Sequence, residues 1–143
     1  MPGRRATMGD AVVKVSILSF SYMRGIPENR TGHGGGFVFD CRGLPNPFWE
    51  EGLRKFTGKD GEVVAFFGRH REEVEAFAGA VEALVRQTIQ TCQTDGRRHI
   101  QVAFGCTGGQ HRSVFMAEEL GRRLQGMPGV ETEVIHTAEG YWK

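Results

Sequence analysis

Nine residues, GCTGGQHRS (105–113), constrain this chain more than any other stretch of it. They complete HIQVAFG (99–105), a short apolar run with β-branched residues that reads as a buried strand. From Ser113 onward Ala117, Leu120 and Leu124 recur at helical spacing. A strand that passes through a glycine turn into an amphipathic helix is a building unit of layered α/β folds. Gly108 and Gly109 open backbone conformations closed to other residues, so successive N–H groups can point into one concavity. The helix after the turn adds its unpaired N–H groups and the positive end of its dipole. Arg112 offers a planar bidentate donor, and Thr107 and Ser113 offer hydroxyls. The sum predicts a pocket for a dianion such as a phosphate ester.

The rest of the chain points to the same architecture. Residues 12–20 (VVKVSILSF) read as a strand, 37–41 (FVFDC) as a short second one and 131–136 (ETEVIH) as the last. A long polar loop, SYMRGIPENRTGHGGG (21–36), separates the first two, and loops of that length in compact domains are usually functional or disordered. A short helix is expected over 62–69. A longer one comes next, with Val74, Phe77, Ala78, Val81, Leu84, Val85 and Ile89 as its buried stripe. Glu72, Glu73 and Glu75 favour its N-terminal dipole, and Asp95-Gly96 closes it. Strands alternating with helices predict a single layered α/β domain over 11–143, with a small, largely parallel sheet flanked by helices. Residues 1–10 read as a flexible leader.

At 143 residues the chain suits one domain whose core needs neither disulfide nor metal. A hydrophobic share of 39% excludes wholesale disorder, and a formal charge of +1 gives no general attraction to nucleic acid or anionic lipid. Cys41, Cys92 and Cys106, odd in number and far apart, are not a secreted disulfide framework. No apolar run approaches the roughly 20 residues of a membrane helix. These features predict a soluble cytoplasmic domain with no membrane partner and no cofactor or metal site. Walker-type nucleotide binding is disfavoured, since GxxxxGK[ST] does not occur.

Two functions compete for the glycine loop. Cys106 begins the spacing Cys-x5-Arg-Ser of cysteine-dependent phosphatases, in which a thiolate activated by loop N–H groups and a helix N-terminus attacks phosphorus. The same atoms can bind a phosphorylated ligand without chemistry. Alternatively, Cys106 is a small buried residue at a strand end.

The segments FVFDCRGLPNP (37–47), FTGKDGEV (56–63) and FGCTGGQHRSV (104–114) together resemble the C-terminal domain of the RapZ family of RNase adaptor proteins. The stretch GIPENRTGHGGGFVFDCR is more similar to a branch found with sugar-kinase-like domains. The resemblance implies an α/β domain that recognises a phosphorylated amino sugar such as glucosamine 6-phosphate. In some members it implies RNA as well, and a protein partner or kinase-like domain to which binding is signalled. It does not imply a phosphatase. Matched by motif, Cys106, Thr107, Gly108, Gly109, His111, Arg112 and Ser113 line the anion pocket, and Asp40, Arg42 and Asn46 face them from the FDxRxLPNP segment. Arg42 is then a second cation, while Asp40 accepts from sugar hydroxyls or an ammonium group, or simply pairs with Arg42. Under the phosphatase reading Cys106 and Asp40 are the catalytic pair, nucleophile and general acid. His111 donates to phosphate when protonated, and an anion raises its pKa.

The full-length adaptors carry a P-loop kinase-like domain, which these residues do not include, so nucleotide hydrolysis is not carried over. Where such chains have a lysine in the first loop and a basic tail, this one has Met23 and ends HTAEGYWK. Both differences remove cations from where RNA would lie. The pairs Arg4-Arg5, Arg69 with Arg71, Arg97-Arg98 and Arg122-Arg123 are the remaining basis for an RNA surface, with Tyr22, Trp49, Tyr141 and Trp142 as stacking platforms. Most of the ten Phe are read as core.

Overall fold

In a computed structural model that describes residues 12–143, four strands form one parallel sheet. The leader expected over 1–10 and the Arg4-Arg5 pair lie outside the described residues. β1 (Val13–Ser21) sits between β3 (His99–Cys106) and β4 (Val130–His136), and β2 (Gly36–Asp40) pairs with the far side of β3. The register aligns Ser21 with Cys106, Ser19 with His136 and Asp40 with Gly105. The carboxyl ends of all four strands therefore meet at one edge.

Among the described residues three α-helices occur in sequence: α1 (Gly61–Gly68), α2 (Arg71–Asp95) and α3 (Arg112–Leu124). The connections from β2 to β3 and from β3 to β4 move across the sheet in the same direction. Right-handed crossovers then put their helices on one face. Val13, Val15 and Ile17 of β1 and Ile100, Val102 and Phe104 of β3 face that layer in one continuous core. The return from β1 to β2 runs the opposite way and holds no helix. Its chain crosses the other face, where the Gln101 side chain accepts from the Arg30 N–H at 3.1 Å and donates to the Glu28 carbonyl at 3.0 Å.

Within α2 the buried residues are Val74, Ala78, Val81, Val85, Ile89 and Cys92, one stripe at spacings of three and four. Leu84, expected in that stripe, is 47% exposed, because it sits on its flank rather than on its axis. Gly96 closes the helix in the left-handed conformation at φ 90°, its N–H donating to the Cys92 carbonyl. Two short 3-10 turns, Pro47–Trp49 and Glu51–Leu53, occupy the segment after β2 in which the prolines end extended structure. A third, Glu139–Tyr141, comes after β4.

Candidate anion site at the carboxyl edge of the sheet

The loop between β3 and α3 is held by its carbonyl groups. Tyr22 N–H donates to the Cys106 carbonyl at 2.9 Å and Ser21 Oγ to that of Thr107 at 2.6 Å. Trp142 Nε1–H donates to Gly109 at 2.8 Å, Gly58 N–H to Gln110 at 2.9 Å and Phe115 N–H to His111 at 2.9 Å. Four of these carbonyls thus meet donors from other parts of the chain, and the fifth, that of His111, accepts the first i to i+4 bond of α3. A trans peptide directs the next residue's N–H the opposite way, and no peptide here is cis. The N–H groups of Thr107, Gly108, Gln110, His111 and Arg112 are directed away from those carbonyls, and among the described residues none meets a backbone acceptor outside the helices and strands. Backbone N–H groups without acceptors at the start of the 13-residue helix α3 make this loop a candidate anion site.

Of the two loop glycines, Gly109 alone has a left-handed backbone, at φ 69°. A Cβ on it would come within 2.9 Å of Ala138 Cβ and the Ser21 nitrogen. Gly108 has an ordinary φ and open space around it, so its lack of a side chain leaves approach to the loop free. Gly58, to which the motif gives no role, lies so close that a Cβ would strike the His111 carbonyl oxygen and the Phe115 nitrogen.

The loop forms the floor of a cavity of about 480 Å³. Of the residues expected there, Cys106, Thr107, Gly108, His111, Arg112 and Asn46 are among its lining residues, and Gly109, Ser113, Asp40 and Arg42 are not. Its wall also includes Ser21, Met23, Arg24, Phe48, Arg54, Gln110, Tyr141 and Lys143. Charges from Arg24, Arg54, Arg112 and Lys143 stand there with no aspartate or glutamate among the lining residues. Two aromatic rings at the mouth carry arginines: Arg24 lies 3.4 Å over Tyr141, and Arg54 lies 4.5 Å over Phe48. Phe48 is exposed, an exception to the core reading of the phenylalanines. Its place after Asn46, whose Oδ1 caps the first 3-10 turn by accepting from Phe48 N–H at 3.1 Å, was the available signal. Gln110 braces the loop through bonds to the Arg54 and Phe56 carbonyls and from the Lys143 N–H.

Arg112 is 6% exposed and its Nη1 donates to the carbonyls of Arg42 and Leu44 at 2.8 and 3.3 Å. It joins the β3 loop to the β2 loop as well as lining the cavity. Ser113 is fully buried; its N–H points at Cys106 Sγ at 3.4 Å, and the thiol donates to Ser113 Oγ at 3.1 Å. Asp40 and Arg42 come to the same sheet edge but pair with each other, at 2.7 and 2.9 Å, outside the cavity wall. Arg42 further stacks 4.0 Å over Tyr22. Its hydrogen bonds hold the Asp40 carboxyl below the usual range, the state of an acceptor and not of a general acid. Among the basic pairs, Arg69, Arg97, Arg122 and Arg123 are each ion-paired with a carboxylate.

An all-parallel α/β domain with a cationic cavity over the ends of its strands belongs to the class that keeps its ligand site at the sheet's carboxyl edge. The family model described as the RapZ C-terminal domain matches residues 13–139, and the chain belongs to that family. A relative in Halorhodospira halophila is 43% identical over 113 residues, which is 79% of this chain and 37% of the relative. Another in Saccharopolyspora erythraea is 40% identical over 123 residues, 86% of this chain and 40% of the relative. Both are named nucleotide-binding protein. The chain spans about two fifths of the length of these curated relatives. Among the described residues no helix is long and apolar enough to cross a membrane.

Proposed function

We propose that this domain binds a phosphorylated sugar and signals its presence to a partner protein or a neighbouring domain. The observation that carries this reading is the loop backbone beside the cavity: other parts of the chain take its carbonyls at Cys106, Thr107, Gly109 and Gln110, while among the described residues the N–H groups of Thr107, Gly108, Gln110, His111 and Arg112 meet no such partner. Cations without acidic neighbours around the same space favour a phosphate ester over a neutral sugar. Phe48 and Tyr141 at the mouth offer apolar faces to the ring that carries the phosphate. Resemblance to RapZ-type domains makes glucosamine 6-phosphate the ligand to try first.

A second reading, phosphate-monoester hydrolysis, is favoured by the Ser113 N–H and hydroxyl at Cys106 Sγ. There the Cys106 thiol gives its proton to water, the sulfur attacks phosphorus, the S–P bond forms as the ester P–O bond breaks, and the leaving oxygen takes a proton from water. A second water then releases inorganic phosphate and the free thiol.

Phosphorus NMR of the protein with glucosamine 6-phosphate over several hours tests both readings. A broadened, shifted ester signal without turnover is expected, weakened in Arg112→Ala once circular dichroism shows that variant folded. Undiminished binding in that variant sinks the assignment of Arg112 to the anion site. A growing inorganic phosphate signal, absent in Cys106→Ser, establishes the hydrolase instead. An unchanged spectrum overturns both and makes RNA the next ligand class to examine.

A further inference from the structure

Two of the three cysteines stand at the ends of neighbouring strands. Cys106 is the last residue of β3, and Cys41 comes directly after Asp40, the last of β2. The parallel ladder that pairs Asp40 with Gly105 continues one residue further, because the Cys41 N–H donates to the Gly105 carbonyl at 2.8 Å. Cys41 thus lies beside Cys106 on adjacent chains, which run about 4.7–4.9 Å apart in a sheet. That spacing is within the roughly 4.4–6.8 Å between α-carbons that a disulfide spans. Both side chains also share one face, since both belong to the core beneath the helices. Cys92, in the last turn of α2, is at the opposite edge of the sheet, where β3 begins.

The two neighbours differ in access. Cys106 lines the cavity, so a small neutral molecule can reach its sulfur from solvent. Cys41 is fully buried and is not among the cavity residues. Burial, with Cys106 close by, pushes the Cys41 thiol well above its ordinary pKa, which keeps it protonated and unreactive by itself. An exposed sulfur that meets an oxidant first, next to a second sulfur that waits, is the arrangement of an attacking and a resolving cysteine.

We propose that Cys41 and Cys106 are a reversible modification site, joined as a disulfide by a hydroperoxide that enters through the cavity. The Cys106 sulfur takes one peroxide oxygen as the O–O bond breaks, and the displaced hydroxide leaves with the thiol proton as water. The Cys41 sulfur then attacks the sulfenic sulfur, the S–O bond breaks, and the Cys41 proton departs with that hydroxide as a second water. The two sulfurs lose two electrons and the peroxide gains them. The new bond takes Cys106 Sγ away from the Ser113 N–H and hydroxyl at the start of α3. It also shifts the turn after Cys41, whose Arg42 and Leu44 carbonyls anchor the Arg112 guanidinium. Resting on the reading of the loop as a phosphate-ester site, oxidation weakens anion binding, and a bound anion covers Cys106 and slows oxidation.

Hydrogen peroxide treatment of the reduced full chain, followed by intact mass and thiol titration, tests this. The expected product is lighter by two hydrogens, has one free thiol in place of three, and reverts with dithiothreitol. A non-reduced digest should contain the Cys41 and Cys106 peptides joined. In Cys41→Ser the same peroxide should instead add oxygen to Cys106. Saturating inorganic phosphate should slow disulfide formation several-fold, and the oxidised chain should bind phosphate several-fold more weakly than the reduced one. Oxygen added to Cys106 of the wild type with no joined peptides overturns the proposal, as does a disulfide to Cys92 or a pair that peroxide leaves reduced. These outcomes are read on the wild type, so they stand even should the variant fail to fold. A reduced chain that binds no phosphate overturns the phosphate-ester reading, while the joined peptides still establish the cysteine pair.

Discussion

Gly108 and Gly109 are adjacent and chemically identical, yet their substitution should have opposite consequences. At Gly109 an alanine would adopt a left-handed backbone and press on Ala138 and Ser21, costing about 1–3 kcal/mol. At Gly108 the backbone accepts a side chain and nothing stands within 4 Å, so stability should stay within about 0.5 kcal/mol of wild type. An added methyl group there projects from the loop that the ligand approaches, and phosphate affinity should fall. Denaturant unfolding and phosphate titration of the two alanine variants check this, and equal stability losses would mean that the loop backbone is not as described. Cys106 and Arg112 illustrate how far residue-level motif reading reaches. The Cys-x5-Arg spacing placed both beside the same concavity, yet the Arg112 guanidinium also spends Nη1 on two carbonyls of the β2 loop. Those carbonyls are remote in sequence, and no pattern within nine residues shows them.

At the scale of elements, the segment after β4 is a brace for the site. Trp142 donates to the Gly109 carbonyl and lies against His136, with ring centroids 5.6 Å apart. His136 is itself fixed between Ser19 Oγ at 2.6 Å and Glu118 Oε2 at 2.7 Å, so β1, β4 and α3 all set the position of that indole. Trp142→Phe keeps an aromatic ring while removing the donor. It should cost roughly 1 kcal/mol of stability and lower phosphate affinity several-fold, because the Gly109 carbonyl is freed to rotate. Unchanged affinity in that variant would show that the loop keeps its shape without the brace. Trp142 and Tyr141 were legible only as candidate stacking platforms. Their actual partners, the Gly109 carbonyl and the Arg24 guanidinium, come from elements more than 30 residues away. By contrast the main helices and strands were legible to within a few residues, since apolar spacing encodes burial locally. The 3-10 turns were not, because prolines announce the end of a strand without fixing the conformation of the residues beyond it.

For the whole molecule, stability should fall with acid in two windows. His111, its pKa lowered by burial, favours the folded state fully above the unfolded histidine value of about 6.5 and less as pH falls towards its folded pKa. Asp40, Glu82 and Glu133 have pKa values lowered chiefly by hydrogen-bonding partners, so their contribution is present above about pH 4 and is lost below it. Melting temperature against pH should thus begin to drop below about pH 6.5, and His111→Gln should abolish that first decline while sparing the second. A first decline that persists in the variant would place its origin elsewhere. The order of apolar and polar residues determined by itself that this chain forms a parallel α/β layer with a glycine loop opening a helix, because strand and helix periods are local. Family membership is equally legible, since it resides in contiguous motifs. Only the tertiary structure decided which groups the loop meets. Tyr22, Ser21, Gly58 and Trp142 donate to the loop carbonyls, Asp40 is engaged by Arg42, and His111 Nε2 is sealed without a partner. Hydrogen bonds between residues distant in the chain depend on how elements pack, and packing is a property of the assembled layers rather than of any segment.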